Sequence, residues 1–304
     1  MNVTAPAPLG AIAHYTLLER LDPAGPGELY RARDTRLGRT VAVRVLPSGF
    51  VGDGAAQEGL LDRARSLIAL SHPNMTALFD VGDRDGQLYL VFEFLRGQPL
   101  RAEMAGRHMN VRRALELAVQ VTDAIADAHA EGFIHGGLSP DSILITAKGH
   151  AKVPTFELTA RSGFDPNAPD TRLRDYESPE EARGYVPEER SDIYSVGAVL
   201  YEMLTTRRPM HRGAAAPSVS NRHVPPELDD VVLRAVAPNP ASRIQSAASL
   251  AAELRTVAAI LDVRGGSEED SDEHEEGSSG VGRAFLLAVV ILAGAAAVIW
   301  WLTA

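Results

Sequence analysis

The 304 residues predict an α+β fold in two lobes, a sheet-rich lobe followed by a mainly helical one, and three observations carry that reading. The first half holds five short alternating runs bounded by turn residues. The second half holds four longer stretches with apolar residues at three- and four-residue spacing. One uncharged apolar run stands near the C-terminal end.

Residues 1–12 begin Ala- and Pro-rich and read as an unstructured tail. Strands are expected over Tyr15–Leu21, Glu28–Asp34, Thr40–Leu46, Ala77–Val81 and Leu88–Phe94, and Asp85-Gly86 supplies a hairpin turn for the last pair. An amphipathic helix over Gly59–Leu70 interrupts them, giving a first lobe over 13–98. The second lobe, 99–264, is expected to carry helices over Val111–Glu131, Asp192–Thr205, Pro226–Val236 and Ser246–Leu261, with a short hairpin over Ile143–Pro154. Residues 265–283 form an acidic Ser/Gly-rich linker, too polar to bury a core and extended by self-repulsion. The last region, 284–303, holds the apolar run from Ala284 to Leu302, which at about 1.5 Å per residue matches a bilayer core. It reads as one transmembrane helix with Trp300 and Trp301 at an interface. Arg264 and Arg283 precede it and no base follows, so the lobes are expected on the cytoplasmic side of the cell membrane.

Charge and composition exclude several classes. Forty acids stand against thirty bases, and Gly265–Gly280 alone holds seven acids with no Lys or Arg. No basic surplus exists to neutralise a phosphate backbone, so a nucleic-acid partner is not expected. The chain has no cysteine, which removes disulfides, thiolate metal sites and cysteine nucleophiles together. Lys148 and Lys152 are its only lysines, so no lysine side chain precedes residue 148.

The order of the elements, and motifs in register over residues 14–262, resemble the bacterial membrane-anchored serine/threonine protein kinases. The strongest stretches are LLERLDPAGPGELYRARDTRLGRTVAVRVLP (17–47), SHPNMTALFDVGDRDGQLYLVFEFLRG (71–97), the run from His129 to Thr146, and SPEEARGYVPEERSDIYSVGAVLYEMLTTRRP (178–209). The resemblance implies a bilobal protein-kinase-like fold. It also implies a degenerate member, because the positions that handle MgATP in such enzymes have changed.

The glycine-rich loop reads Asp22-Pro23-Ala24-Gly25-Pro26-Gly27 and keeps only its third motif glycine, Gly27. Arg44 stands at the strand lysine and Arg63 at its helix glutamate, so an ion pair becomes two like charges. The H-R-D motif reads His135-Gly136-Gly137, with Gly137 at the catalytic aspartate, Ser139 at the following lysine and Ser142 at the metal-binding asparagine. D-F-G reads Thr155-Phe156-Glu157, which removes the principal metal carboxylate. Glu157 is expected to pair with one or both of Arg44 and Arg63 and to plug the phosphate site. The resemblance implies that the positions carrying the fold are kept: His135 and Phe156 of the apolar spine, Glu180 expected to pair with Arg243, and Asp192 expected to brace the catalytic loop.

The resulting expectation is an inactive kinase-like module, tethered to the membrane, that scaffolds or regulates signalling. Its catalytic positions hold Arg44, Arg63, Gly137, Ser142 and Thr155. A remnant nucleotide pocket is expected from Gly27, Leu29, Ala42, Arg44, Glu93 and Leu144, with no cofactor required and ATP entering without metal if it enters. Expected partners are signalling proteins, an active kinase or phosphoprotein among them, the membrane, and a second copy of the chain. A weak or non-standard ATP-dependent phosphotransferase and a metal-independent nucleotide switch stay open as alternatives.

Overall fold

The computed structural model describes residues 9–21, 27–47, 49, 54–154 and 175–264. Two compact units divide the chain, residues 1–255 and 256–304. In the second, the described residues 256–264 are helical.

The first lobe is built on a six-stranded antiparallel sheet in the order β1-β2-β3-β4-β6-β5. The strands are β1 (Gly10–Ile12), β2 (Tyr15–Leu21), β3 (Glu28–Asp34), β4 (Thr40–Val45), β5 (Leu78–Arg84) and β6 (Gln87–Glu93). Five strands were expected. The sixth, β1, lies in the predicted tail and pairs Gly10, Ala11 and Ile12 with Leu17, Thr16 and Tyr15. Ile12 buries its side chain against Tyr15, Val41, Val43, Val45 and Val91, which gives this short strand its reason to form. Asp85 and Gly86 both take positive φ, 56° and 80°, as a two-residue hairpin turn requires.

Along β4 the side chains alternate. Val41, Val43 and Val45 enter the core, while Ala42 and Arg44 share the opposite face. Helix α1 (Gly54–Ile68) starts five residues before the expected position and packs Leu60 against Leu46 and Leu88. It ends two residues early because Ala69 and Leu70 tighten onto Ser66 and Leu67, and the His72-Pro73 turn follows.

A second, three-stranded sheet pairs β7 (Gly97–Pro99), at the sequence boundary of the lobes, with β8 (Leu144–Thr146), and β8 with β9 (Ala151–Lys152). Short helix α2 (Leu100–Met104), not foreseen in the sequence, follows β7 directly. Helix α3 (Val111–Ala130) is capped by Asn110, whose side chain accepts from the backbone of Arg112 and Arg113. Helix α4 (Glu189–Thr205) is buried at every position from Ser191 to Thr205, so it forms the axis of the second lobe rather than one of its faces. Helix α5 (Pro217–Ser220), also unforeseen, and α6 (Pro226–Ala235) pack around α4, and a final helix starts at 247. Among the described residues no helix is long and apolar enough to cross a membrane. The expected linker and span at 265–303 lie outside the described residues.

Candidate nucleotide and phosphotransfer site

Three of the expected pocket residues sit together on one sheet face. Leu29 pairs directly with Arg44 across β3 and β4, and Ala42 lies two residues from Arg44 on the same side. Gly27 opens β3 at φ 83°, and a Cβ there would stand 2.2 Å from the Val45 carbonyl oxygen. Only glycine fits, so the approach of the two strands explains its retention without reference to phosphate.

In the separate three-stranded sheet, Leu144 of β8 pairs with Lys152 of β9. The Lys152 ammonium donates to Glu93 Oε2 at 3.0 Å and to the Met75 carbonyl at 3.2 Å, tying β9 to the end of β6. Glu93, Leu144 and Lys152 thus form one connected group where the chain passes between lobes. Arg63 is exposed on α1, where the inward positions are Leu60, Ala64 and Leu67, and it forms no ion pair among the described residues. Thr155, Phe156 and the expected Glu157 plug lie outside the described residues.

The loop from His135 to Ser142 is fastened from below. Asp192 accepts from the backbone N–H of His135 at 2.7 Å and of Gly136 at 2.8 Å, and bonds His129 Nε2 at 2.8 Å. His135 Nε2 reaches the Pro154 carbonyl at 3.1 Å. Burial holds the His135 imidazole below its ordinary pKa, outweighing the nearby Asp192 carboxylate.

Above that base the chemistry has been replaced by local closure. The Ser139 N–H donates to Ser142 Oγ at 3.0 Å, and the Ser142 N–H donates to Ser139 Oγ at 3.2 Å. The Ser142 hydroxyl turns back to the carbonyls of Ser139 at 3.0 Å and Gly137 at 3.4 Å. Two serines therefore cap each other's backbone where a lysine and an asparagine would face the phosphates, and Gly137 brings no side chain.

A network that the sequence reading missed lies beside this loop. Arg101 of α2 donates to Asp141 Oδ2 at 3.0 Å, to Glu202 Oε1 at 2.7 Å and to the Tyr176 hydroxyl at 2.5 Å, and the Tyr176 hydroxyl also bonds Glu202. Burial and the bond to Glu202 raise the Tyr176 hydroxyl's pKa, against the pull of Arg101. Arg101, Asp141, Asp175 and Arg208 line a cleft of about 400 Å³ here. Its only signal in the sequence is a lone arginine in a short helix whose partners are 40, 75 and 101 residues away.

The sheet-and-helix lobe, the fastened His135 loop and the buried Glu180–Arg243 pair define the class: a two-lobed fold of the phosphotransferase type. The chain belongs to the protein kinase family, since the protein kinase domain model matches residues 15–254. It is similar to the serine/threonine-protein kinase PknB of Mycobacterium tuberculosis, 36% identical over 265 residues, covering 79% of this chain and 42% of that protein. It is also similar to the serine/threonine-protein kinase PrkC of Bacillus subtilis, 32% identical over 259 residues, covering 80% of this chain and 40% of that protein. The chain spans about two fifths of the length of these relatives. The crystallised PknI kinase domain of Mycobacterium tuberculosis has the same fold, with a TM-score of 0.66 at 22% identity, over 81% of this chain and 98% of that one.

Membership corrects one expectation. The relatives are named serine/threonine-protein kinases, and kinase phosphotransfer works on ATP with divalent cations, so the reading of no cofactor, or of ATP without metal, does not stand. Of the two positions that face a metal in this family, Ser142 offers one hydroxyl already engaged with the loop backbone, and Thr155 lies outside the described residues.

Proposed function

We propose that this chain is a degenerate serine/threonine protein kinase that keeps the kinase scaffold, has lost efficient phosphotransfer, and acts as a membrane-tethered module binding signalling proteins. One observation carries the reading: the Ser139–Ser142 closure beside Gly137, which puts no carboxylate at position 137 and no ammonium at position 139. The retained supports below it, Asp192 on the loop and Arg243 on Glu180, favour selection for the fold rather than decay of the whole domain. Loss of a positioned general base alone costs about 10²–10⁴-fold in rate. The uncharged apolar run from Ala284 to Leu302 supports the membrane location, and the five replaced positions support the loss of turnover.

The test is transfer of the ATP γ-phosphate, with magnesium and with manganese, onto a generic acceptor protein and onto the chain itself, beside PknB as a positive control. The expected rate is at least about 10⁴-fold below a kinase turnover of about 1–100 s⁻¹. A rate within about tenfold of the control sinks the proposal. The second reading, a weak or non-standard phosphotransferase, is favoured by the relatives' names at 32–36% identity, and a metal-dependent rate between those limits would establish it.

A further inference from the structure

Between Met203 and Pro226 the chain has four arginines, two histidines and no Asp or Glu, in a protein of net charge −10. The segment leaves α4 and returns to it as a closed loop: the Asn221 side-chain amide donates to the Leu204 carbonyl at 3.0 Å, so the neck is one hydrogen bond wide. Arg207 and Arg208 leave that neck, and Arg222 and His223 re-enter it. The buried Pro217 pins the short α5 at the loop's base, and the Ser218 N–H donates to Asp229 of α6. Arg207, Arg208, His211, Arg212, Arg222 and His223 are all exposed. Arg208 is neutralised by Asp175, whereas the guanidinium groups of Arg207, Arg212 and Arg222 have no ion-pair partner among the described residues.

Two large apolar side chains stand among these bases. Met210 is 70% exposed and Val219 is 76% exposed. Solvent alone does not favour such a mixture, but an anionic lipid surface does, because bases meet headgroup phosphates while apolar side chains enter the acyl boundary.

We propose that the 206–223 loop is a docking surface for the anionic cytoplasmic leaflet. The proposal rests on the membrane-tethered reading, because the tether makes weak contacts sufficient. Nineteen residues, 265–283, separate the lobes from the apolar run at 284–302, so an anchor at that run keeps the domain close to the lipid surface. A domain held at that range experiences a high effective concentration of lipid. Each arginine near an anionic surface then adds about fivefold to the docked population, and three together about 100-fold. The acidic linker, repelled by the same leaflet, cannot substitute for the loop.

The test places the full chain in lipid nanodiscs of phosphatidylcholine alone or with about one third phosphatidylserine, and reads amide hydrogen exchange over 206–223. The expected result is about tenfold slower exchange on phosphatidylserine discs, reversed at 0.5 M salt and absent in the Arg207→Gln, Arg212→Gln, Arg222→Gln triple variant. The three positions are exposed, so an unchanged thermal midpoint certifies that the variant is folded. Equal exchange on both discs overturns the proposal, as does protection produced by polyglutamate and not by phosphatidylserine, which would mean an acidic protein partner. Failure of the chain to enter discs refutes the tether instead. The loop is then judged by sedimentation of the same chain with phosphatidylserine vesicles, where binding sustains the surface and its absence rejects it.

Discussion

Glu180 and Arg243 stand 63 residues apart and meet through two hydrogen bonds, from Nη1 to Oε1 at 2.7 Å and from Nη2 to Oε2 at 3.0 Å. The Arg243 side chain is fully buried, donates also to the carbonyls of Arg190 and Ala237, and lies over the Tyr194 ring. Burial alone would raise the Glu180 carboxyl, but the Arg243 bonds outweigh it and hold the pKa at about 2.

Removing one partner of this pair strands the other. Arg243→Met is expected to cost about 3–5 kcal/mol, lowering the thermal midpoint by about 10 °C. The depressed Glu180 pKa gives stability that is complete above the unfolded carboxyl value and is lost as pH falls from about 4.3 towards 2. Midpoints measured across that window should fall more gently in Glu180→Gln than in the parent chain, and parallel curves would contradict the assignment.

His135 acts at a higher pH. Its imidazole is buried and its pKa lowered, so the folded chain keeps it neutral while the unfolded chain takes up a proton. The stability it contributes is complete above about pH 6.5 and declines as pH drops below that value. His135→Phe keeps a ring in the site without the titration, and the slope of midpoint against pH between 5 and 7 should flatten. An unchanged slope would assign the acid sensitivity to another group.

Gly27→Ala tests whether that glycine serves the sheet. With φ at 83° and the Val45 oxygen 2.2 Å from the new Cβ, the substitution should cost about 1–3 kcal/mol, visible as a drop of several degrees in thermal unfolding. A neutral result would return Gly27 to a phosphate-binding role.

Restoring the catalytic loop tests the proposed loss of turnover. Gly137→Asp alone should change phosphotransfer by less than about tenfold, because groups that act as a unit do not add. Adding Ser139→Lys, Ser142→Asn and Thr155→Asp should raise the rate by at least about 100-fold over the parent chain. Full recovery from Gly137→Asp by itself would show that the remaining site is intact.

Much of the fold was legible because its signals are local. Val41, Val43 and Val45 alternate with polar or small neighbours, and Asp85-Gly86 carries its own turn geometry, so β4, β5 and β6 could be read directly. Strand β1 escaped because Gly10 and Ala11 have little strand preference of their own, and the strand exists through Ile12 reaching a core made elsewhere. The start of α4 was displaced because the Glu188–Ser191 capping box extends the helix beyond its apolar period. At the site, replacement of the reactive groups was visible letter by letter. What Ser139 and Ser142 do instead was not, since hydroxyl-to-backbone bonds leave no pattern in the sequence. The exposure of Arg63 depended on helix phase, and the Arg101 network on contacts between distant segments.

Helix α4 sets the order in which protection is surrendered. With Ser191 to Thr205 all covered, its amides can exchange only when the surrounding helices have left, so they report the global opening of the second lobe. The 206–223 loop hangs from the end of that same helix through Asn221, yet its exposed residues open at little cost. One helix therefore joins the slowest clock in the domain to one of the fastest, and an event at the loop can be registered without loosening the axis that carries it.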